Sequence, residues 1–336
     1  MKAILAMPAT AAEPGPLKAV EQPDPVCGPH DLLIRVQAVA LNPVDLKVQA
    51  SLGPGDPPRV LGWDGSGVVE AVGASVERFR AGDEVVFAGD IGRPGCRAER
   101  VAVDGRICGR KPAGLSFAEA AALPLTSLTA WEALFERLGV DRGGADTGRS
   151  LLILGAAGGV GSIMVQLARL AGLTVIATAS RPESQRWVRQ MGAGHVVNHH
   201  EPLAPQLRHL GFDGVDLIAN LHDTDGYWET MAEVIRPQGS IVAIVGSRAP
   251  LDLDLLKSKS VRFCWEFMFT RSRYATPDLG EQGAILDHVA DLVEAGQIRT
   301  TVRETLGPIT AANLMAAQER LRQNRAIGKI VLAGWE

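Results

Sequence analysis

Tyrosine is scarce in this 336-residue chain: there are two, Tyr227 and Tyr274, and aromatic residues make up only 5%. A reaction that needs a phenol as its acid therefore has two candidates at most. Cysteine is scarce too, with four residues (Cys27, Cys96, Cys108 and Cys264), none of them in a C-x-x-C pair. Their spacing suits neither a tetrahedral zinc cluster nor a small disulfide scaffold, and points to a reduced, cytoplasmic protein. No apolar run approaches the roughly 20 residues of a membrane span. The apolar part of the opening stretch, Met1 to Pro8, is shorter than the ~7–15 residues of a signal-peptide core and reads as a first strand. Excess positive charge is missing as well. Lys and Arg number 34 against 38 Asp and Glu, a formal net charge of −4, so nothing electrostatic calls for nucleic acid as a partner.

What remains is an ordinary soluble composition, 46% apolar and 21% charged, over a length that suggests roughly two domains. The first ~125 residues are β-rich, with strands expected at 2–6, 32–41, 68–72, 84–87 and 100–103, punctuated by Gly and Pro. Ser116-Phe117-Ala118-Glu119 is a capping box that opens a helix. A second helix is expected over 126–138. From Leu151 strands (151–154, 173–178, 195–197, 215–219, 240–245, 261–266) alternate with helices (160–171, 183–191, 203–210, 226–236). That alternation implies an α/β fold with a doubly wound parallel sheet. Two amphipathic helices (284–295, 311–324) and a strand (329–332) close the chain and are expected to fold back onto the first domain.

The organising stretch is LLILGAAGGVGS, 151–162. An apolar strand breaks at Gly155 into Ala156-Ala157-Gly158-Gly159-Val160-Gly161, and a helical apolar stripe follows. Read as G-x-G-x-x-G/A, the motif has Ala156 in the first glycine's place, then Gly158 and Gly161. Strand, glycine turn and helix is the layout that seats a pyrophosphate on free N–H groups at a helix N-terminus. In NAD binders an acidic residue about 20 positions on accepts from the ribose hydroxyls. Here that place falls on Ser180, followed by Arg181, a neutral donor and a cation that suit a 2′-phosphate, so NADPH is the expected cofactor. The same residues also spell a capping box, Ser180-Arg181-Pro182-Glu183, in which Ser180 only caps the next helix.

With Asn42-Pro43-Val44-Asp45, Leu61-Gly62-Trp63-Asp64-Gly65-Ser66-Gly67, Ala81-Gly82-Asp83-Glu84-Val85, Ala121-Ala122-Leu123-Pro124, the glycine turn and Gly328-Lys329-Ile330-Val331-Leu332, the whole chain resembles the medium-chain dehydrogenase/reductase superfamily, and within it the quinone oxidoreductase branch. The run Trp265-Glu266-Phe267-Met268-Phe269-Thr270-Arg271-Ser272 looks like the subgroup labelled zinc-type alcohol dehydrogenase-like proteins. The resemblance implies a GroES-like catalytic domain over 1–125 and 275–336 and a Rossmann NADPH-binding domain over 126–274. Zinc-dependent members carry a catalytic Cys where this chain has Asn42 and Gly-His-Glu where it has Gly62-Trp63-Asp64. Leu125 falls near the third ligand, and the lobe of four close cysteines is missing. Indole cannot bind zinc and an amide is a poor ligand beside thiolate or imidazole, so no metal is expected. The implied chemistry is hydride transfer to a quinone or enone, which needs a donor at the carbonyl oxygen rather than a Lewis acid.

Asn42, ahead of Pro43, either donates to the substrate carbonyl or merely starts a turn; the resemblance favours the site. Asp45 is expected to be as much structural as functional. Lys47, where many quinone oxidoreductases carry a tyrosine, either steadies a developing enolate or is solvated. Tyr274 is a candidate proton donor. Phe267 and Phe269 either wall the nicotinamide and substrate pocket or serve core packing or a dimer contact. Thr129, His199, Asn220, Val245 and Gly246 are candidates for cofactor contacts, and Asn324 falls at the family's nicotinamide-side position. A small-molecule substrate, no nucleic acid, no membrane and a homodimer paired through the strand at 261–265 complete the expectation. Two competing classes are a zinc alcohol dehydrogenase and a non-enzymatic NADPH-binding structural or RNA-binding role like that of zeta-crystallin. The ligand positions oppose the first, and the interspersed charge opposes the second.

Overall fold

The computed structural model describes residues 1–9, 15–323 and 326–336. The chain forms two compact units, Met1–Leu128 with Phe269–Glu336, and Thr129–Met268.

In chain order, the first unit opens with β1 (Lys2–Ala6), β2 (Leu17–Glu21), β3 (Asp31–Ala40), α1 (Pro43–Ser51), β4 (Arg59–Val60), β5 (Gly65–Val72), β6 (Glu84–Phe87), β7 (Arg100–Asp104), β8 (Cys108–Arg110) and α2 (Phe117–Ala121). The unit boundary falls inside α3 (Pro124–Trp131), which continues as a π-helical turn, Glu132–Arg137. The second unit holds β9 (Ser150–Leu154), α4 (Gly159–Leu170), β10 (Thr174–Thr178), α5 (Pro182–Met191), β11 (His195–Val197), α6 (Leu203–His209), β12 (Val215–Asn220), α7 (Thr224–Val234), β13 (Ile235–Ala243), α8 (Asp254–Lys257) and β14 (Arg262–Trp265). The chain returns to the first unit with α9 (Thr270–Tyr274), α10 (Glu281–Glu294), β15 (Val302–Thr305), α11 (Ala311–Arg322) and β16 (Lys329–Ala333).

The first unit is built on β3. Its alternate residues Leu32, Ile34, Val36, Ala38 and Ala40 are all buried, the period-2 pattern of a strand with one face in the core. The sheet runs β15-β16-β3-β5-β6-β8, with β7 also paired to β3, and a second sheet runs β2-β1-β4. The returning strand β16 lies antiparallel to β3, Val331 opposite Ala40, which delivers Lys329 to the end of β3. Strand β5 begins at Gly65, earlier than its apolar residues suggest. A Cβ at Gly67 would lie 2.3 Å from the Arg35 carbonyl oxygen, so a glycine that weakens the strand signal is what lets the backbones approach.

The second unit is a six-stranded sheet in the order β11-β10-β9-β12-β13-β14, every pair parallel. Strand β9 is buried along its length, as a strand covered by helices on both faces must be. The order reverses between β9 and β12, which sets the ligand crevice at the carboxyl ends of those two strands. Strand β13 starts at Ile235, directly after α7, although its first half, IRPQG, carries Pro237, Gly239 and a positive φ at Gln238. The pairing shifts register there, between Val215 and Leu217. Those breakers hide the strand from a sequence reading.

Candidate active site

Within the first unit, polar side chains that are almost wholly buried converge on Asn42. Asn42 follows β3 and stands at the N-cap of α1 in an extended conformation. Its backbone N–H donates to Asp45 Oδ2 at 2.9 Å, and Asp45 is in turn paired with Arg97 at 3.0 Å. The backbone thus caps the helix, and the side chain is left for other partners. Asn42 Nδ2 donates to Asp64 Oδ2 at 2.8 Å, while Oδ1 accepts from Lys329 Nζ at 2.5 Å. An amide turned the other way would set NH2 against an ammonium and oxygen against a carboxylate, so the orientation is fixed by chemistry. One N–H of the amide is spent on Asp64 and a second remains.

Lys329 gives its three N–H groups to Asn42 Oδ1, to Asp64 Oδ2 at 2.7 Å and to the Leu41 carbonyl at 2.8 Å. Asp64 also accepts the Leu125 N–H at 2.7 Å. Burial pushes the Asp64 carboxyl above its ordinary range, against the pull of the Lys329 ammonium, the Leu125 N–H and the Asn42 amide. Trp63 is buried, donates its indole N–H to the Asp90 carbonyl at 3.2 Å and packs edge-on against Phe269 with centroids 6.1 Å apart. Sequence reasoning named Asp64 and Lys329 only as motif residues. The signal that could have found them is a lysine heading the otherwise apolar strand Lys329–Ala333, which, once buried, needs a partner.

In the second unit β9 ends at Gly155, whose φ of +85° turns the chain into the glycine loop. Thr178, closing β10, accepts the Gly155 N–H at 3.1 Å and donates to the Ile153 carbonyl at 3.2 Å. Gly158 is the N-cap of α4. A Cβ at Gly161 would lie 2.5 Å from the Gly155 carbonyl oxygen, so helix and turn meet backbone to backbone. The half-buried run Ala157-Gly158-Gly159-Val160 leads into a helix start whose first N–H groups have no intrahelical acceptor, an anion site by construction.

Ser180 Oγ, just beyond β10, lies 3.5 Å from His199 Nε2, and the His199 and His200 rings are 4.4 Å apart. Burial, then His200, His222 and Arg181, hold the His199 pKa below its ordinary value. The capping role foreseen for Ser180 is not realised: the N-cap of α5 is Arg181, whose N–H donates to Ser184 Oγ at 3.2 Å. Pro182 at the first helical position moves the box one residue along.

Several candidates sit elsewhere. Lys47 is on the exposed face of α1. Asp45 is buried and holds the Asn42 backbone N–H and Arg97. Tyr274 is 69% exposed at the end of α9, its ring under the Arg273 guanidinium, so it is not part of the buried centre around Asn42. Phe269 belongs to the core beside Trp63, whereas Phe267 is 40% exposed. Asn220 spends its amide on its own turn, donating to the Asp223 carbonyl and Thr224 and accepting the His222 N–H. Val245 is half-buried, its carbonyl accepting from Thr224, and Gly246 is exposed. Thr129 is buried on α3. Asn324 lies outside the described residues.

Residues 28–132 match the alcohol dehydrogenase GroES-like domain and residues 191–332 the zinc-binding dehydrogenase domain. A zinc-type alcohol dehydrogenase-like protein of Staphylococcus epidermidis is 39% identical, over 90% of each chain. A 2-methylene-furan-3-one reductase of Solanum lycopersicum is 31% identical, over 90% of this chain and 71% of that one. A solved Rhizobium etli CFN 42 protein, assigned as a zinc-dependent alcohol dehydrogenase, superposes with a TM-score of 0.94 at 47% identity, over 100% of this chain and 98% of that one. The chain belongs to the medium-chain dehydrogenase/reductase superfamily and is an NAD(P)-dependent oxidoreductase of that superfamily.

Zinc appears in several of those names, and the residues here do not fit it. Both acceptors a metal would need, Asn42 Oδ1 and Asp64 Oδ2, already hold an ammonium group. Trp63 has no lone pair to give, and the Leu125 side chain carries no donor atom for a metal. Among the described residues no group of three or more His, Cys, Asp and Glu is placed to hold a metal. Likewise, no helix among them is long and apolar enough to cross a membrane.

Proposed function

We propose that this protein is a zinc-independent, NADPH-dependent reductase that adds hydride to a quinone or to the β-carbon of an α,β-unsaturated carbonyl compound. The observation that carries the reading is the Asn42 amide, held by buried charges with one N–H uncommitted. A conjugated carbonyl is already electrophilic, so what it requires from the protein is a fixed donor where negative charge develops on oxygen. When bound, the reduced nicotinamide supplies the hydride. The chain's own work is to orient the carbonyl with Asn42 Nδ2–H and hold the developing enolate until solvent protonates the α-carbon. Ser180, Arg181 and His199 are assigned to the 2′-phosphate, and the start of α4 to the pyrophosphate.

The unit of function is proposed to be a homodimer. Strand β14 is the outer strand of its sheet, and Trp265, its last residue, is 47% exposed. An open apolar edge of this kind is closed by pairing with its copy across a two-fold axis. Light scattering at micromolar concentration would return twice the chain mass; a monomer overturns the dimer.

The activity is tested with a panel of quinones, alkenals and cyclic enones, following loss of NADPH absorbance before and after exhaustive chelation. Activity should survive chelation, and deuteride from labelled NADPH should appear at the β-carbon. Asn42→Ala should lower kcat by roughly 10²-fold, the scale for losing one oxyanion donor. Full activity of that variant, or label at the carbonyl carbon of an allylic alcohol product, would overturn the mechanism.

A further inference from the structure

Two ion pairs from distant parts of the chain close on Asn42, and they do different things. Asp45 with Arg97 fixes its backbone N–H. Lys329 with Asp64 fixes its side chain. The second arrangement is asymmetric in a way that packing does not require. A lysine needed only to fill space could be an apolar residue, because an ammonium and a carboxylate must both be stripped of water before their attraction is counted. Here all three ammonium N–H groups find acceptors, and two of those acceptors, the Leu41 carbonyl and Asn42 Oδ1, belong to the turn that presents the amide.

We infer that the Lys329 ammonium is the built-in cation of this active site, standing among the positions where zinc-dependent relatives place ligands and polarising the Asn42 amide toward the substrate oxygen. The inference deepens the assignment of Asn42 as the carbonyl donor and rests on it. A cation at Oδ1 draws electron density through the conjugated amide, which makes the Nδ2 hydrogens more positive. Hydrogen bonds in series strengthen one another, most of all where water is excluded. As oxygen becomes anionic, the substrate then meets an amide N–H backed by a full positive charge. Lys329 touches Asn42 and not the reacting atoms, so it is a positioning residue. No proton leaves it during turnover and no bond to it forms.

The test keeps folding and chemistry apart. Lys329→Met combined with Asp64→Asn removes both charges at nearly constant volume and leaves no charge unpaired. We expect kcat of this double variant to fall about tenfold or more, within the cost of losing a donor outright, while the KM for NADPH and the nucleotide affinity read by fluorescence quenching stay at the wild-type level. Lys329→Arg, which keeps the cation, should recover most of the loss. A readout without substrate comes from protein labelled with 15N at asparagine side chains. The Asn42 amide protons, identified by their absence in Asn42→Ala, should sit downfield in the wild type and in Lys329→Arg, and move upfield in the neutral pair.

Wild-type kcat in the folded neutral pair, with Asn42→Ala still impaired, overturns the role of Lys329 and leaves the Asn42 assignment standing. Unmoved Asn42 amide resonances in that pair overturn it as well. Full activity of Asn42→Ala removes the reading on which the inference stands.

Discussion

Lys329 Nζ lies 2.7 Å from Asp64 Oδ2, with 3% and 0% of the two side chains exposed, although 265 residues separate them in sequence. A buried pair of this kind is costly to break from one side. Lys329→Met alone leaves the Asp64 carboxylate buried without its counter-charge, a loss of about 3–5 kcal/mol. The pair Lys329→Met with Asp64→Asn should cost clearly less than either single change added to the other. Denaturant midpoints of the four proteins in the cycle measure the difference. Simple additivity would mean that the two charges do not act as a unit.

The same pair shows what sequence could and could not convey. The alternating unit from Leu151 onward was legible because its strands are apolar along their length and its helices striped, and both patterns are local. The glycine turn was legible because Gly158 and Gly161 satisfy backbone requirements that few sequences meet. Asn42 is legible from its place beside Pro43 and the family motif. Its partners are not, because Asp64 and Lys329 meet only when β16 returns against β3, and nothing local to either residue announces that pairing. Tyr274 and Lys47 are candidates for what their side chains can do. Their exposure depends on short helices, Thr270–Tyr274 and Pro43–Ser51, whose outward faces a sequence does not distinguish.

The two motif glycines should respond differently to alanine. At Gly161 the new Cβ would meet the Gly155 carbonyl oxygen at 2.5 Å and Ala156 Cα at 2.6 Å, both backbone. Neither neighbour can swing away, so Gly161→Ala should lower stability by about 1–3 kcal/mol, as overpacking does, and weaken nucleotide binding. At Gly158 the nearest atom is 3.5 Å away, ordinary contact, so Gly158→Ala should fold with a wild-type midpoint and lose affinity for the cofactor alone. Thermal melts with and without NADPH separate the two outcomes. A destabilised Gly158→Ala would contradict the geometry.

The four cysteines are free thiols, and two of them should be inert in the native state. Burial pushes the Cys96 thiol up to about 12 and raises Cys108 as well, and the reactive species is the thiolate. In mildly alkaline buffer a disulfide reagent should modify neither until the protein is unfolded. Peptide mapping after timed quenching gives the order of reaction. Native-state labelling of Cys96 at the rate of a model thiol would mean that the core beside Asp64 opens far more readily than its burial implies.

The last expectation concerns pH and the choice of cofactor. His199 is held below its ordinary pKa by burial and by His200, His222 and Arg181, so in the free protein it is neutral around neutral pH. His222 stands close by at the strand-order reversal: its Cβ would lie 3.3 Å from a Cβ built on Gly155. The sign for the unliganded protein follows directly. The unfolded chain takes up a proton near about 6.5 that the folded His199 resists, so stability declines as pH falls through that value. Binding reverses the balance. On the proposed assignment, a 2′-phosphate set among Ser180, Arg181 and His199 should raise the histidine pKa, and NADPH should then bind with proton uptake. Its affinity should therefore tighten as pH falls from about 8 towards about 6, where the phosphate itself begins to protonate and the gain levels off. NADH, which lacks that phosphate, should show no such slope. Arg181→Ala should lower the preference for NADPH by roughly ten- to a hundredfold, the value of one charge-assisted contact. His199→Phe should flatten the pH dependence while keeping most of the preference. Dissociation constants for both nucleotides at several pH values decide it: an equal slope for NADPH in wild type and His199→Phe would remove the histidine from the 2′-phosphate site, and equal affinity of the wild type for NADH and NADPH would remove the site itself.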